Sequence, residues 1–160
     1  MPLLLDTNIL LAYIRLGLLG QFIRAVYNLY SLQPAQIVSI VTLGEIRALA
    51  LRHNWGAMKL AELQRRLNAV TVVPLPFGGI INAYAQIDHC CVQNGLAVGK
   101  NDPWIAATAN VTGATILTTD RDFDPLHGLF LQRTWVDPAS RHYHGNSNNW
   151  KINTFSASFS

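Results

Sequence analysis

Short apolar runs alternate along this chain with longer stretches in which apolar residues recur every three or four positions. The short runs predict strands, and the longer spacing predicts helices that are buried along one side. The predicted strands are Leu3–Leu5, Ile37–Val41, Val70–Val73, Ala114–Thr118 and Leu129–Gln132. The predicted helices are Ile9–Gly17, Gln21–Leu32, Leu43–His53, Ala57–Asn68, Gly79–Asn94 and Asp102–Val111. Strands separated by helices favour an α/β fold in three layers, with a mostly parallel sheet of four to five strands flanked by helices.

The length and composition indicate one folded domain followed by a tail. The chain has 160 residues, of which 50% are hydrophobic and 13% are charged, as expected for a protein with a compact core. Residues 138–160 contain no acidic residue and are rich in serine and asparagine. We therefore expect a domain over residues 1–137 and a polar C-terminal tail over residues 138–160.

Charge and cysteine content narrow the class of protein. The net charge of +3 is compatible with a polyanionic partner. We expect no signal peptide, because Asp6 interrupts the apolar start, and no membrane helix, because no apolar run approaches about 18 residues. The two cysteines, Cys90 and Cys91, are neighbours and are poorly placed for a structural disulfide. This arrangement favours reduced thiols and a cytoplasmic location.

Four acidic residues lie at the ends of predicted strands or the starts of predicted helices. They are Asp6, Glu45, Asp102 and Asp120, among only nine Asp and Glu in the chain. Carboxyl ends of parallel strands share one edge of a sheet, where ligands bind, so we expect these side chains to meet there. Clustered carboxylates repel one another unless a cation compensates them. Oxygen ligands favour a hard divalent cation such as Mg²⁺ or Mn²⁺.

Each acid also has an ordinary structural explanation. Thr42 and Glu45 have the spacing of a capping box, in which the glutamate bonds back to the start of its helix. Asp102 before Pro103 matches a helix N-cap followed by proline at the first helical position, and Asp6 is placed to cap the first helix. Asp120 shares its loop with two further aspartates, a setting in which solvated aspartates are common. Capping does not exclude metal binding.

Four segments in this order resemble the PIN-domain nucleases, and most closely the VapC-type toxins of bacterial toxin–antitoxin pairs. The segments are Leu-Leu-Asp-Thr-Asn with Asp6, Ser-Ile-Val-Thr-Leu-Gly-Glu-Ile-Arg with Glu45, Asn-Asp-Pro-Trp-Ile-Ala-Ala-Thr-Ala with Asp102, and Gly-Ala-Thr-Ile-Leu-Thr-Thr-Asp-Arg-Asp-Phe with Asp120. The resemblance covers residues 2–136 and departs from the usual pattern at Pro103, where alanine is frequent. It implies that the acids bind Mg²⁺ or Mn²⁺ and support RNA cleavage, and that an antitoxin blocks the site.

The resemblance assigns a role to each acid. Asp6 and Asp102 are expected as central metal ligands, Asp120 as a ligand of a second metal, and Glu45 as a ligand or as a base that orients water. Asp122 is an alternative or additional ligand beside Asp120. Because the ligands must be deprotonated, activity is expected to rise from acidic to mildly alkaline pH.

Other residues near the motifs are candidates for supporting roles. Thr7, Asn8 and Thr118 are candidate donors that hold the carboxylates in place, with ordinary turn and cap hydrogen bonding as the alternative. Candidate contacts to substrate phosphates are three basic residues beside the motifs, for which the alternative is a solvated charge: Arg15, Lys100 and Arg121.

The sequence therefore predicts a metal-dependent endoribonuclease, the toxin of a type II toxin–antitoxin pair. The expected partners are RNA, a cognate antitoxin and a second copy of the chain in a homodimer, for which the early apolar helices offer a surface. Two alternatives stay open: a PIN nuclease that acts in RNA processing or on DNA without an antitoxin, and a non-catalytic regulator that binds metal or RNA.

Overall fold

The structure, a computed structural model, describes residues 1–15, 17–27 and 35–139. Its strands are β1 (Leu3–Leu5), β2 (Gln36–Ser39), β3 (Thr71–Val73), β4 (Thr115–Thr118) and β5 (Gln132–Trp135). Its helices are α1 (Thr7–Arg15), α2 (Leu18–Tyr27), α3 (Ile40–Arg52), α4 (Ala57–Leu67), α5 (Ile80–Gln93) and α6 (Asp102–Thr112), with a short 3-10 helix at Asp124–Leu126. Two helices follow each of the first three strands, which is the order that the sequence predicted.

The strands form one parallel sheet in the order β3-β2-β1-β4-β5. Leu4 in β1 pairs with Ile37 of β2 on one side and with Ile116 of β4 on the other. The chain runs from β1 outward to β3 and then crosses to β4, so the order reverses between β1 and β4. In open α/β sheets, ligands bind beyond the carboxyl ends of the strands at such a reversal. The predicted α/β fold with a flanked parallel sheet is confirmed.

Two hydrophobic cores cover the two faces of the sheet. Successive side chains of a strand point to opposite faces, so Leu4 belongs to one core and Leu5 to the other. Helices α5 and α6 pack on the Leu4 face, and residues of α1 to α4 pack on the Leu5 face. Because both faces are covered, consecutive apolar residues stand in the central strands at Leu3–Leu5, Ile37–Val38 and Ile116–Leu117, which made these strands recognisable in the sequence.

The fifth strand differs from its prediction. The expected strand at Leu129–Gln132 is wrong in position, because Gly128 turns the chain with φ of 80° and Leu131 forms only an isolated bridge with His127. The ladder with β4 begins at Gln132. Since β5 is an edge strand with exposed or partly covered side chains, it needs no apolar run, and its Gln-Arg-Thr-Trp sequence gave no strand signal.

Several other boundaries also shift. Helix α3 begins at Ile40, before the predicted Leu43, and α2 begins at Leu18, before the predicted Gln21. The later part of that predicted helix, from Asn28 to Leu32, lies outside the described residues, as do residues 140–160 of the predicted tail.

No single helix in the described ranges is both long and apolar enough to cross a membrane. Helices α1 and α2 reach that length and hydropathy only as a pair, and their axes bend by 109° at the break between them.

Candidate active site

The carboxyl ends of the central strands open into a cleft of about 750 Å³. Its walls include four carboxylates that come from four separate segments of the chain: Asp6, Glu45, Asp102 and Asp120. One side of α3 forms much of the remaining wall, with Val41, Gly44, Ala48, Leu49 and Arg52, and the lining is completed by Thr7, Asn8 and Asn101. The structure thus places the four predicted acids around one cavity, at the reversal in the strand order.

Asp6 lies directly after β1 at the floor of the cleft and is only 4% exposed. Its Oδ1 accepts a hydrogen bond from the backbone N–H of Thr7 at 2.7 Å, and its Oδ2 accepts one from the Thr118 hydroxyl at 2.7 Å. The pKa of Asp6 is raised from 3.8 to about 6, mainly by burial; the hydrogen bonds from Thr118 and Thr7 oppose the rise, and the charges of Glu45 and Asp120 add to it. Thr7 is the first residue of α1, so Asp6 also pairs one N–H group at the start of that helix.

Asp102 is the first residue of α6, and Asn101 occupies the N-cap position before it. The predicted Asp102 cap is therefore wrong by one residue, and Pro103 is the second helical residue. Burial raises the pKa of Asp102 from 3.8 to about 7, and neighbouring carboxylates, Asp6 first among them, contribute to the rise. Both central acids resist ionisation unless positive charge is brought to the cleft.

Gly99 provides the space for the Asp102 carboxylate. A Cβ added at Gly99 would clash with Oδ2 of Asp102. The backbone N–H of Gly99 also donates to the Asp102 carboxylate, which lowers the pKa of Asp102 against the larger effect of burial. Gly99 has no distinctive signal in the sequence, since a glycine before a helix is also typical of an ordinary turn.

Glu45 projects from α3 and is held by two other segments. Its Oε1 accepts a hydrogen bond from Nδ2 of Asn101 at 2.8 Å, and its Oε2 accepts one from the Thr7 hydroxyl. The capping-box alternative is wrong, because α3 is capped by Ser39, whose hydroxyl accepts a hydrogen bond from the Val41 N–H at 3.2 Å. The side chain of Glu45 is thereby directed to the cleft.

Thr118, at the end of β4, connects Asp6 to Asp120. Its hydroxyl donates to Asp6 and accepts a hydrogen bond from the backbone N–H of Asp120 at 2.9 Å. Asp120 in turn accepts from the backbone N–H of Asp122 at 3.0 Å. Of these two aspartates, Asp120 lines the cleft, whereas Asp122 acts on the site through its charge, which contributes to the raised pKa of Asp102.

Among the described residues that line the cleft, Arg52 is the one with a positive charge. Arg15 and Lys100 are exposed and are not among the lining residues. Arg121 stacks on Trp135, with its guanidinium carbon 3.7 Å from the ring centre, and forms an ion pair with Asp124 at 3.3 Å. Arg52 follows Glu45 by two turns of helix, so both residues lie on the same side of α3. Arg52 was missed because the sequence does not show which side of α3 faces the cavity.

The chemistry of the cleft fits a divalent cation. Every ionisable donor contributed by Asp6, Glu45, Asp102 and Asp120 is a carboxylate oxygen, the ligand type that Mg²⁺ and Mn²⁺ prefer. Within the part of the chain that the structure describes, no three His, Cys, Asp or Glu side chains are already grouped closely enough to form a metal site. Cation binding therefore requires the carboxylates to draw closer or water to complete the coordination.

The fold is a parallel α/β sheet with an acidic cleft at the reversal of its strand order. The family model described as PIN domain matches residues 3–128, and the chain belongs to the PIN domain family. No match was found among curated protein sequences.

Solved structures share this fold. A chain of VapBC2 from Rickettsia felis, bound to a DNA fragment from the promoter, has a TM-score of 0.71 at 19% identity, covering 86% of this chain and 100% of that one. VapBC-1 from nontypeable Haemophilus influenzae gives 0.68 at 23% identity, covering 84% and 98%. VapBC-5 from Mycobacterium tuberculosis, a member of the VapBC family of toxin–antitoxin systems, gives 0.61 at 22% identity, covering 84% and 98%.

Proposed function

We propose that this protein is a metal-dependent endoribonuclease that hydrolyses RNA phosphodiester bonds. The observation that carries the proposal is the placement of four carboxylates around one cleft, where burial and mutual repulsion raise the pKa values of Asp6 and Asp102. Such a site is poorly suited to exist fully ionised without a compensating cation. Membership of the PIN domain family supports a nuclease as the class of enzyme.

Mg²⁺ or Mn²⁺ would be held by Asp6 and Asp102, with Asp120 and Glu45 completing the donor set. When bound, the cation lowers the pKa of water and stabilises negative charge on the phosphate oxygens. Thr118 holds the Asp6 carboxylate and the backbone N–H of Asp120, so it connects the two segments that carry these acids. Asn8, at the rim of the cleft, and Asp122, through its charge, are further residues near the donor set.

Glu45 is proposed to orient the attacking water and accept its proton. Each of its oxygens already accepts one hydrogen bond, from Asn101 or from Thr7, and retains a second lone pair for water. The water oxygen forms a bond to phosphorus while the bond from phosphorus to the 3′ oxygen breaks. The water proton passes to Glu45, and the 3′ oxygen takes a proton from solvent, leaving a 5′-phosphate and a 3′-hydroxyl.

Arg52 is proposed to contact an RNA phosphate near the scissile bond. It lies on the side of α3 that forms the cleft wall, two helical turns beyond Glu45. An exposed arginine at the rim of an acidic cleft can offset the repulsion between the carboxylates and the RNA backbone. The net charge of +3 favours approach of a polyanion in the same way.

The biological role proposed is that of the toxin in a type II toxin–antitoxin pair. Structural neighbours of this chain are VapBC proteins, and one of them is described as belonging to toxin–antitoxin systems. The proposed partners are therefore a cognate antitoxin and cytoplasmic RNA, with a homodimer as the proposed assembly. The test is growth arrest on expression, relieved by the product of a small adjacent gene and absent in the Asp6→Ala variant.

Purified protein incubated with total RNA and Mg²⁺ or Mn²⁺ tests the enzymatic proposal. Cleavage should require the metal, stop with EDTA and disappear in Asp6→Ala and Asp102→Asn. The matched control is Asp88→Asn on α5, outside the cleft, which should cleave like the wild type. Equal cleavage by all variants would assign the activity to a contaminant, and cleavage of DNA alone would identify a different nuclease.

A further inference from the structure

Asn101 stands in a position where asparagine ordinarily caps a helix, but it does not act as a cap here. It is the N-cap residue of α6, and its side chain makes no capping hydrogen bond within the described part of the chain. An N-cap residue usually has an extended backbone, which aims its side chain at the first free N–H groups. Asn101 has φ of −97° and ψ of −16°, in the right-handed helical region, so its side chain is directed away from those groups.

The amide of Asn101 instead reaches across the cleft. Its Nδ2 donates to Oε1 of Glu45 at 2.8 Å, which joins the start of α6 to the first half of α3. Helix α6 therefore lacks a stabilising side-chain cap at Asn101, and the Asn101 side chain instead connects two distant segments. This exchange argues against a purely local role for Asn101.

The restraint on Glu45 is two-sided. Asn101 holds one carboxylate oxygen, and the Thr7 hydroxyl holds the other. Thr7 directly follows Asp6, and Asn101 directly precedes Asp102, so each donor is next in the chain to one of the central acids. The two hydrogen bonds therefore fix the plane of the Glu45 carboxylate with respect to the segments that carry Asp6 and Asp102.

We propose that Asn101 is a positioning residue that fixes the orientation of Glu45 for the reaction in the cleft. This inference rests on the proposed function. Asn101 acts on the reaction by orienting Glu45 and does not itself contact RNA. Partners that orient the groups around a metal affect metal affinity or activity by about 10- to 100-fold when they are removed. Loss of the amide leaves Glu45 held on one side only, by Thr7.

Two substitutions separate positioning from helix capping. Asn101→Ala removes the amide and leaves no side chain that could cap α6, whereas Asn101→Ser supplies a good capping side chain that is too short to replace the amide. We expect both variants to lose about 10- to 100-fold in the single-turnover cleavage rate. Thermal unfolding should show that the serine variant is at least as stable as the alanine variant. Recovery of wild-type cleavage by Asn101→Ser would overturn the proposal.

The matched control is Asn110, on the same helix. Its side-chain amide also donates to a distant segment, the backbone carbonyl of Phe130 at 2.6 Å, but it lies away from the cleft. Asn110→Ala should leave cleavage and Mn²⁺ affinity unchanged. An equal loss of cleavage in the two alanine variants would show that any broken contact of α6 inactivates the protein, which contradicts a specific action on Glu45.

A double-mutant cycle with Glu45→Ala tests the contact without reference to RNA cleavage. In metal-free protein, Asn101→Ala should lower the melting temperature more when it is made in the wild type than when it is made in the Glu45→Ala variant. In the Glu45→Ala variant the Asn101 amide has already lost its acceptor. Mn²⁺ affinity by calorimetry should show the same non-additivity. Additive effects would overturn the proposal. If the two substitutions are coupled but the protein cleaves no RNA, the contact between Asn101 and Glu45 is supported and the proposed function is refuted.

Discussion

The pKa of Asp6 makes the stability of the metal-free protein depend on pH. Burial raises this pKa from 3.8 to about 6, so the folded protein holds a proton that the unfolded chain has already released in that interval. The stabilisation from this proton is fully present below pH 3.8 and is lost as pH rises through about 6. Metal-free protein is therefore expected to become less stable between about pH 4 and pH 7.

The size of the effect follows from the shift of the Asp6 pKa. One pKa unit corresponds to about 1.4 kcal/mol, so the rise to about 6 is equivalent to about 3 kcal/mol in the free energy of unfolding. Because Asp6 is 4% exposed, solvent screening reduces this value little. Asp102 acts in the same direction, with its pKa raised to about 7, but it is more exposed and contributes less for each unit.

Asp6→Asn isolates the contribution of Asp6. Urea unfolding in EDTA would be measured for both proteins from pH 4 to pH 8, and the difference in their free energies of unfolding compared across that range. The wild type should lose about 3 kcal/mol relative to Asp6→Asn as pH rises. A difference that stays constant with pH, or in which the wild type gains stability relative to Asp6→Asn as pH rises, would refute the idea that Asp6 is ionised against an unfavourable environment.

Three further results are expected. Arg52→Ala should raise KM for RNA by about tenfold and weaken the salt dependence of KM, since it removes one charged contact. Arg47→Ala, a change at an exposed residue of the same helix outside the cleft, should leave KM unchanged. Equal KM values for the two variants would show that Arg52 does not contact RNA. Gly99→Ala should reduce the rate of RNA cleavage by about 100-fold by displacing the Asp102 carboxylate. Gly56→Ala should leave the rate unchanged, because a Cβ there meets nothing within 4 Å. Normal activity of Gly99→Ala would mean that the site tolerates the displacement of Asp102. Mg²⁺ should raise the melting temperature more at pH 8 than at pH 5.5, because carboxylate ligands must lose their protons to bind it, and a pH-independent rise would place the cation elsewhere.

The central strands and the acids that follow them could be predicted from the sequence because both are local features. Leu3–Leu5 is an apolar run that ends directly at Asp6, and the buried Ile116 and Leu117 lie shortly before Asp120. Parallel strands then bring their carboxyl ends to one edge, which allowed the cleft to be inferred before its geometry was known. The edge strand β5 lacked such a signal, since partial exposure permits polar residues.

The residues that were missed depend on contacts between distant segments. Asn101 resembles an ordinary helix cap in the sequence, and its bond to Glu45 depends on how α3 and α6 lie against each other. Arg52 shares a helix with Glu45, but its place in the cleft follows from the rotation of α3 about its axis. The stacking of Arg121 on Trp135 likewise depends on a distant contact, the pairing of β5 with β4.

The central claim is that the four carboxylates bind one or two divalent cations in a shared cleft. Anomalous diffraction from crystals soaked in Mn²⁺ tests it directly. The expected result is a peak within ligand distance of both Asp6 and Asp102, which is lost in crystals of Asp102→Asn. The claim would be contradicted by an empty cleft at Mn²⁺ concentrations that support RNA cleavage, or by Mn²⁺ bound only at other acidic residues.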